Sequence, residues 1–205
     1  MPPSRKWDDS NAWRIGTPDL VVRSKDIVVK ANSPDWWGEI EPVPIPLDDD
    51  RYVAAVEIRE VNDVELTTNG RHTVGGRWVW HHLIYRTQVG ADSPNVNPVD
   101  ENAANQSDDT ISWPVHEVGR NPDYFDPKAA RLLKKGSFIV SDSAHIHSNG
   151  RDTTSHLEFG YKFMPKGYKP SYKRATYSLG NGVDIDTVAE RVGRTLVAWL
   201  VSLSA

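Results

Sequence analysis

The sequence contains no cysteine. This absence excludes disulfides, c-type haem, iron–sulfur clusters and thiolate metal sites within the chain, so any metal must be held by histidine, carboxylate or thioether groups. There is also no run of eighteen apolar residues, and the first ten residues lack the apolar core of a signal peptide. We therefore expect a soluble chain with no export signal of its own, and the sequence alone leaves its compartment open.

Charge of one sign is not in large excess either. The 24 basic and 28 acidic residues give a net charge of −4 and are interspersed along the chain. No basic patch favours nucleic acid or an anionic membrane, so neither is expected as a partner. With 205 residues, 38% of them hydrophobic, the chain is long enough to bury one substantial core.

Short segments rich in β-branched and aromatic residues recur along the chain, separated by Gly, Pro and Asn turns. They are predicted as strands at residues 51–61, 77–85, 137–147 and 155–164, and as a hairpin or a bent strand at residues 19–30. This pattern predicts an all-β fold, an antiparallel sandwich or barrel, and we favour the sandwich.

Other segments break this pattern. Residues 32–50 hold four prolines and should form loops and edge strands, while the polar residues 89–125 should form a long surface excursion. Residues 127–135 predict a short helix, with Pro127 in its first turn and Gly136 as its stop. A helical stripe ends the chain, formed by Val188, Val192, Leu196, Trp199, Leu200 and Leu203.

Two histidine pairs stand within the predicted strands. His81 and His82 are adjacent, so in a regular strand they would point to opposite faces, and both could bind one metal only where the strand twists, bulges or ends. His145 and His147 are two residues apart and would share one face. Three or four imidazoles without a thiolate suit copper or zinc, and less often iron or nickel.

The remaining histidines, among them His116 and His156, are expected to be structural or solvated. Asp142 and Glu158 are candidates for the carboxylates that would orient metal-binding imidazoles from behind.

The order of these motifs resembles that of a known enzyme family. The Trp80-His81-His82 motif follows a strand opened by residues 50–57, and residues 133–140 lead into His-Ile-His-Ser-Asn-Gly at 145–150. This arrangement resembles the copper type II, ascorbate-dependent monooxygenases, which include peptidylglycine alpha-hydroxylating monooxygenase and dopamine beta-monooxygenase. The likeness covers roughly residues 13–186.

The resemblance implies a jelly-roll-type β-sandwich that holds one copper ion and receives electrons from ascorbate or another one-electron reductant. Carried over to this sequence, the copper ligands fall on His81, His82 and His145, and His147 becomes a neighbouring or substitute ligand. The resemblance also implies an extracytoplasmic location. The resemblance does not identify a substrate.

This chain departs from the family in one important respect. The family's second copper uses a His-x-His and a Met from a second domain, and nothing after Asp186 supplies them. We therefore expect a copper-binding domain at residues 1–186, followed by a helical tail at residues 187–205. Such a chain resembles the electron-transfer half of a monooxygenase, and it is not a complete hydroxylase alone. A second copper domain would have to come from another chain or from a homo-oligomer.

Three alternatives stay open. A cupin-type metal enzyme also uses His-x-His, with a glycine six residues before the first histidine and a glutamate four or five residues after the second. Both are missing here, since Gly136 lies nine residues before His145 and residues 151 and 152 are Arg and Asp. A non-catalytic β-sandwich module could bind a carbohydrate-like ligand on Trp36 and Trp37, unless these side chains cover the open end of the sandwich. The chain could also be a truncated remnant.

Overall fold

Two antiparallel sheets form a sandwich-like arrangement in the computed structural model of the chain, which describes residues 12–64, 77–90, 109–118 and 122–172. The described residues all belong to one compact unit. They contain strands and turns but no helix, as the alternating apolar pattern predicts for an all-β chain. In particular, no described segment forms a helix of the length and apolar character that crossing a bilayer requires.

The first sheet is built on two long, paired strands, β5 (Arg51–Asn62) and β12 (Thr153–Phe163). Its six strands are β1 (Leu20–Arg23), β2 (Ile27–Val29), β5 (Arg51–Asn62), β9 (Asp123–Tyr124), β10 (Arg131–Leu133) and β12 (Thr153–Phe163). They run in the order β1-β12-β5-β10, with β2 also on β12 and β9 also on β5. Because β1 and β2 both pair with β12, the predicted strand at 19–30 is one interrupted strand and not a hairpin.

The second sheet carries His81, His82 and His145. Its six strands are β3 (Trp36–Gly38), β4 (Val43–Pro44), β6 (Trp80–Val89), β7 (Thr110–Ser112), β8 (His116–Glu117) and β11 (Ser137–Ile146). They run in the order β3-β11-β6-β7, with β4 also on β11 and β8 also on β6. The long strands β6 and β11 lie side by side, so His81 and His82 of β6 neighbour His145 of β11, and His147 follows directly after the end of β11.

Side chains from both sheets meet in one core. Leu83 and Tyr85 of β6 are buried together with Phe159 and Tyr161 of β12, and the ring centroids of Tyr85 and Phe159 lie 5.4 Å apart. Burying each such side chain stabilises the fold by about 1.5–3 kcal/mol. This core fixes which face of β6 points inward, and therefore which side chains of β6 remain outside.

The helix predicted at residues 127–135 is wrong. The chain instead turns at Asp126, whose carbonyl oxygen accepts the Ala129 N–H at 2.9 Å, and then forms β10 along the edge of β5. Leu133 at the end of β10 is fully buried. Tertiary pairing and burial therefore override the local helix signals.

The surface excursion predicted for residues 89–125 is also partly wrong. Its later part adds the short strands β7, β8 and β9 to the two sheets, and Trp113 and Phe125 enter the core at 4% and 8% exposure. The predicted C-terminal helix and the proposed boundary at residue 186 lie outside the described residues.

Candidate metal centre

A β-bulge places His81 and His82 on the same face of β6. His82 pairs with His145 of β11, but the next pair joins Trp80 to Ile146, so β6 has one extra residue, His81, at this point. Trp80 and Leu83, which flank the two histidines, are 1% and 0% exposed. With both flanking side chains inside, both histidines lie on the outer face, and a bulge is the local distortion that permits this.

The same bulge sets both histidines opposite His145. We call His81, His82 and His145 the histidine trio; one ring nitrogen from each can be chosen such that all three atoms lie within 4.8 Å of one another. The Nδ1 atoms of His81 and His145 are 3.0 Å apart. Two donors bound to one ion at about 2.0–2.1 Å, near a tetrahedral angle, lie about 3.3 Å from each other. The trio is therefore close to the spacing that one ion requires.

Two side chains of one short segment hold the imidazole of His145. The Asp35 Oδ2 atom lies 3.3 Å from His145 Nε2, and the indole of Trp37 stacks on the ring with 4.0 Å between centroids and 7° between planes. An Nε2–H donated to Asp35 would leave the lone pair of His145 Nδ1 facing His81. A carboxylate behind a metal-binding histidine fixes the tautomer and the ring orientation in this way.

His82 is biased toward its neutral form. Burial lowers the pKa of the His82 imidazole, and His81 and His145 lower it further against the opposing effect of the Glu117 carboxylate. Metal ions bind the neutral imidazole, so a lowered pKa reduces the competition from protons.

His147 lies beside the trio and not within it. Its ring centroid is 5.4 Å from that of His81 and 6.2 Å from that of His145, and its Nδ1 lies 3.2 Å from the Ser148 carbonyl oxygen. The structure therefore brings three of the four predicted ligands together and leaves His147 as a neighbour of the cluster.

A buried carboxylate from the opposite sheet anchors the start of β6. Glu60 of β5 accepts the N–H groups of Val79 and Trp80 at 3.0–3.1 Å, and it also accepts the hydroxyl of Ser155 at 2.9 Å. The Val79 carbonyl in turn accepts the N–H of His147 at 3.0 Å. These bonds fix the two residues that immediately precede the bulge, and thus the point from which His81 and His82 project.

Burial raises the pKa of the Glu60 carboxyl, while the donors from Asn62, Trp80, Val79 and Ser155 oppose this rise. Burial is the larger effect, so the pKa lies above its ordinary value. Glu60 is thus a contact between the two sheets whose protonation state changes at a pH above the ordinary carboxyl pKa.

Of the two predicted orienting carboxylates, Glu158 is not at the trio. Glu158 lies on the first sheet, where it pairs with Arg59 at 2.7 Å and lies 3.9 Å from His156 Nε2. The side chain of Asp142 lies outside what the structure describes, so its predicted role stays a prediction. Asp35, Trp37 and Glu60 are the contributors that the sequence did not reveal, because each reaches the site through long-range pairing.

Comparison with known proteins adds no assignment. No family model matches the sequence, and searches of the curated proteins and of the solved structures found no match.

Proposed function

We propose that this chain is a mononuclear copper-binding domain that stores and passes single electrons, with His81, His82 and His145 as the ligands. The observation that carries the proposal is the convergence of the trio, whose ligand nitrogens lie within 4.8 Å of one another across a bulge. The sequence resemblance to copper monooxygenases supports copper over zinc, and the jelly-roll connectivity of that family belongs to the same proposal. Ascorbate or a related compound would be the reductant.

The donor set fits copper on chemical grounds. Three neutral imidazoles with no thiolate suit Cu(II). A bound copper ion would supply one-electron redox chemistry by cycling between its +1 and +2 states.

The protein's contribution is to hold the imidazoles. Asp35 fixes the tautomer of His145, the bulge turns His81 outward, and the Glu60 anchor holds the preceding backbone. Histidines preorganised in this way need little rearrangement when a metal ion binds.

Hydroxylation would require more than this domain. The described residues contain one cluster of metal-binding side chains, the histidine trio. In this proposal a second copper domain, in another chain or in a second copy of this one, would hold the substrate and oxygen. Electron transfer is therefore the function that the trio itself supports.

Single histidine replacements test the proposal. His81→Ala, His82→Ala and His145→Ala should each abolish binding of one equivalent of Cu(II), measured by metal analysis after removal of excess ion. His156→Ala is the matched control, because His156 lies on the other sheet beside Asp26 and Glu158. Equal copper retention in His145→Ala and His156→Ala would contradict the assignment.

A ligand-binding module is the second candidate, and the exposure of Trp36 and Trp37 favours it. These side chains are 44% and 55% exposed, so they do not simply close the sandwich. If the chain binds sugars, soluble oligosaccharides should change the tryptophan fluorescence of the metal-free protein. A cupin-type enzyme receives no such support, since the carboxylate within 3.3 Å of His145 Nε2 is Asp35 and not a glutamate after the second histidine.

A further inference from the structure

A row of cross-strand partners passes through the trio and ends on a carboxylate. Trp37 of β3 pairs with His145 of β11, and His145 pairs with His82 of β6. On the other edge of β6, His82 pairs with Glu117 of β8. Directly opposite residues of an antiparallel pair share one face, with their Cβ atoms about 4.5–5.5 Å apart. Glu117 therefore stands beside His82 on the outer face, on the side away from His145.

The backbone next to Glu117 is bonded to the bulge itself. The N–H of Val118 donates to the carbonyl oxygen of His81, the extra residue of β6, at 3.0 Å. Strand β8 thus pairs with β6 at the bulge, while β11 pairs with the opposite edge of β6 through His145. These bonds fix where Glu117 starts relative to His82, and its exposed side chain can change rotamer without disturbing a packed core.

Glu117 acts electrostatically on His82. Its carboxylate opposes the fall in the His82 pKa that burial and the two other histidines of the trio cause. Among the described groups that shift this pKa, Glu117 supplies the one negative charge. The register and the charge therefore point to the same pair of side chains.

We propose that Glu117 is the orienting carboxylate of His82 and that its charge makes the site prefer a dipositive ion to a monopositive one. This inference rests on the proposed function. His145 already has such a partner in Asp35, which lies 3.3 Å from its Nε2 atom. Glu117 takes the corresponding place for His82 and accepts the N–H of the ring nitrogen that does not hold the ion.

The charge of Glu117 explains the preference between ions. The imidazoles bind in their neutral form, so the bound ion keeps its full charge, which is twice as large for Cu(II) as for Cu(I). Coulomb attraction to one carboxylate is proportional to that charge. The site with Glu117 therefore holds Cu(II) more tightly relative to Cu(I), and bound copper gives up its electron more readily, than the same site without this carboxylate.

Asp49→Asn provides a matched control for the loss of one negative charge. Asp49 is exposed, and the neighbouring Asp50 accepts the N–H of Lys135 just before β11 begins. The first residue of β11 pairs with Val89, at the far end of β6. That end lies about 23 Å along the strand from His82. At such a distance salt in the solution screens the charge.

The first measurement observes the hydrogen bond. Wild type, Glu117→Gln and Asp49→Asn are loaded anaerobically with Cu(I), which is diamagnetic, and the ring N–H signals of the histidines are recorded by NMR. In wild type and Asp49→Asn the His82 N–H should give a downfield signal that exchanges slowly with water. In Glu117→Gln this signal should move upfield and exchange faster, because an amide oxygen is a weaker acceptor than a carboxylate. The His145 signal should stay unchanged.

The second measurement compares the two oxidation states. Affinities for Cu(II) and Cu(I) are determined by competition with chelators at one fixed ionic strength. A carboxylate about 8 Å from the ion in water changes the binding constant about sixfold for Cu(II) and about two- to threefold for Cu(I). Glu117→Gln should weaken binding by these unequal factors, and Asp49→Asn should bind both ions as wild type does.

The outcomes separate the two proposals. If wild type fails to retain one copper, the proposed function is wrong and this inference falls with it. If wild type retains copper but Glu117→Gln binds both ions as wild type does, or weakens both equally, only this inference is overturned. An unchanged His82 N–H signal in Glu117→Gln would also overturn it. So would an equal effect of Asp49→Asn, because the preference would then depend on net charge and not on Glu117.

Discussion

The replacement Glu60→Ala should uncouple the metal site from the opposite sheet. Glu60 is 8% exposed and accepts the N–H groups of Val79 and Trp80, which lie immediately before the bulge. Alanine leaves both buried donors without this acceptor. An unsatisfied buried donor costs about 1–3 kcal/mol, so the two together should lower the free energy of unfolding by about 2–6 kcal/mol.

Glu57→Ala is the matched control for this experiment. Glu57 is also 8% exposed and also accepts two backbone N–H groups, those of Arg14 and Ile15 at 2.7 and 3.2 Å. Both replacements should therefore reduce stability by comparable amounts in urea unfolding. The segment held by Glu57 does not precede the histidine pair, so Glu57→Ala should bind copper as wild type does.

Copper affinity distinguishes positioning from simple stabilisation. Under conditions where both variants are folded, Glu60→Ala should bind copper more weakly and give an altered electron paramagnetic resonance spectrum. The reason is that Glu60 no longer holds the backbone of Val79 and Trp80, which leads into His81 and His82. If Glu60→Ala retains the affinity and the spectrum of wild type while losing stability, Glu60 supports the fold alone and the anchoring argument is refuted.

Three further predictions follow from individual contacts. Asp35→Ala should weaken copper binding by about tenfold. This is the lower end of the effect of removing such an orienting carboxylate, because Asp35 is largely exposed. Isothermal titration would measure the affinity, and an unchanged affinity would show that Asp35 does not orient His145. Burial raises the pKa of the Glu60 carboxyl above 4.5, so the folded state binds the carboxyl proton more tightly than the unfolded state does. The stability that this proton binding contributes is therefore full below pH 4.5 and is lost as pH rises through the folded-state pKa. The difference in unfolding free energy between wild type and Glu60→Ala should therefore narrow above pH 4.5, and a widening difference in pH-dependent urea titrations would contradict this sign. Leu133→Ala should cost about 2–5 kcal/mol in urea unfolding, as expected of a fully buried strand residue, whereas a loss well below this range would argue against the placement of β10 in the core.

The trio shows how far local pattern carries a prediction. Adjacent histidines in a strand point to opposite faces, so the sequence could state that His81 and His82 need an irregularity to act together. It could not place that irregularity, because the bulge is defined by the register of β6 against β11, which lies more than fifty residues further along the chain. The spacing of His145 and His147 predicted one shared face but not which of the two would meet the pair.

The contributors that the sequence did not reveal share one cause. Asp35 and His145 are 110 residues apart, and their contact depends on the pairing of β3 with β11. No periodicity marks such a contact in advance. The failed helix at 127–135 has the same origin, since its Pro, Lys and Gly signals are local while the burial of Leu133 against the core is not.

The central claim is that one copper ion is held by three imidazoles, and the spectrum of the ion tests it most directly. We would load wild type with Cu(II), remove the excess, and record metal stoichiometry together with the electron paramagnetic resonance spectrum. The trio predicts one copper per chain, with type II parameters and coupling to nitrogen that is lost in His145→Ala. Substoichiometric copper, or a heterogeneous spectrum without nitrogen coupling, would contradict the claim.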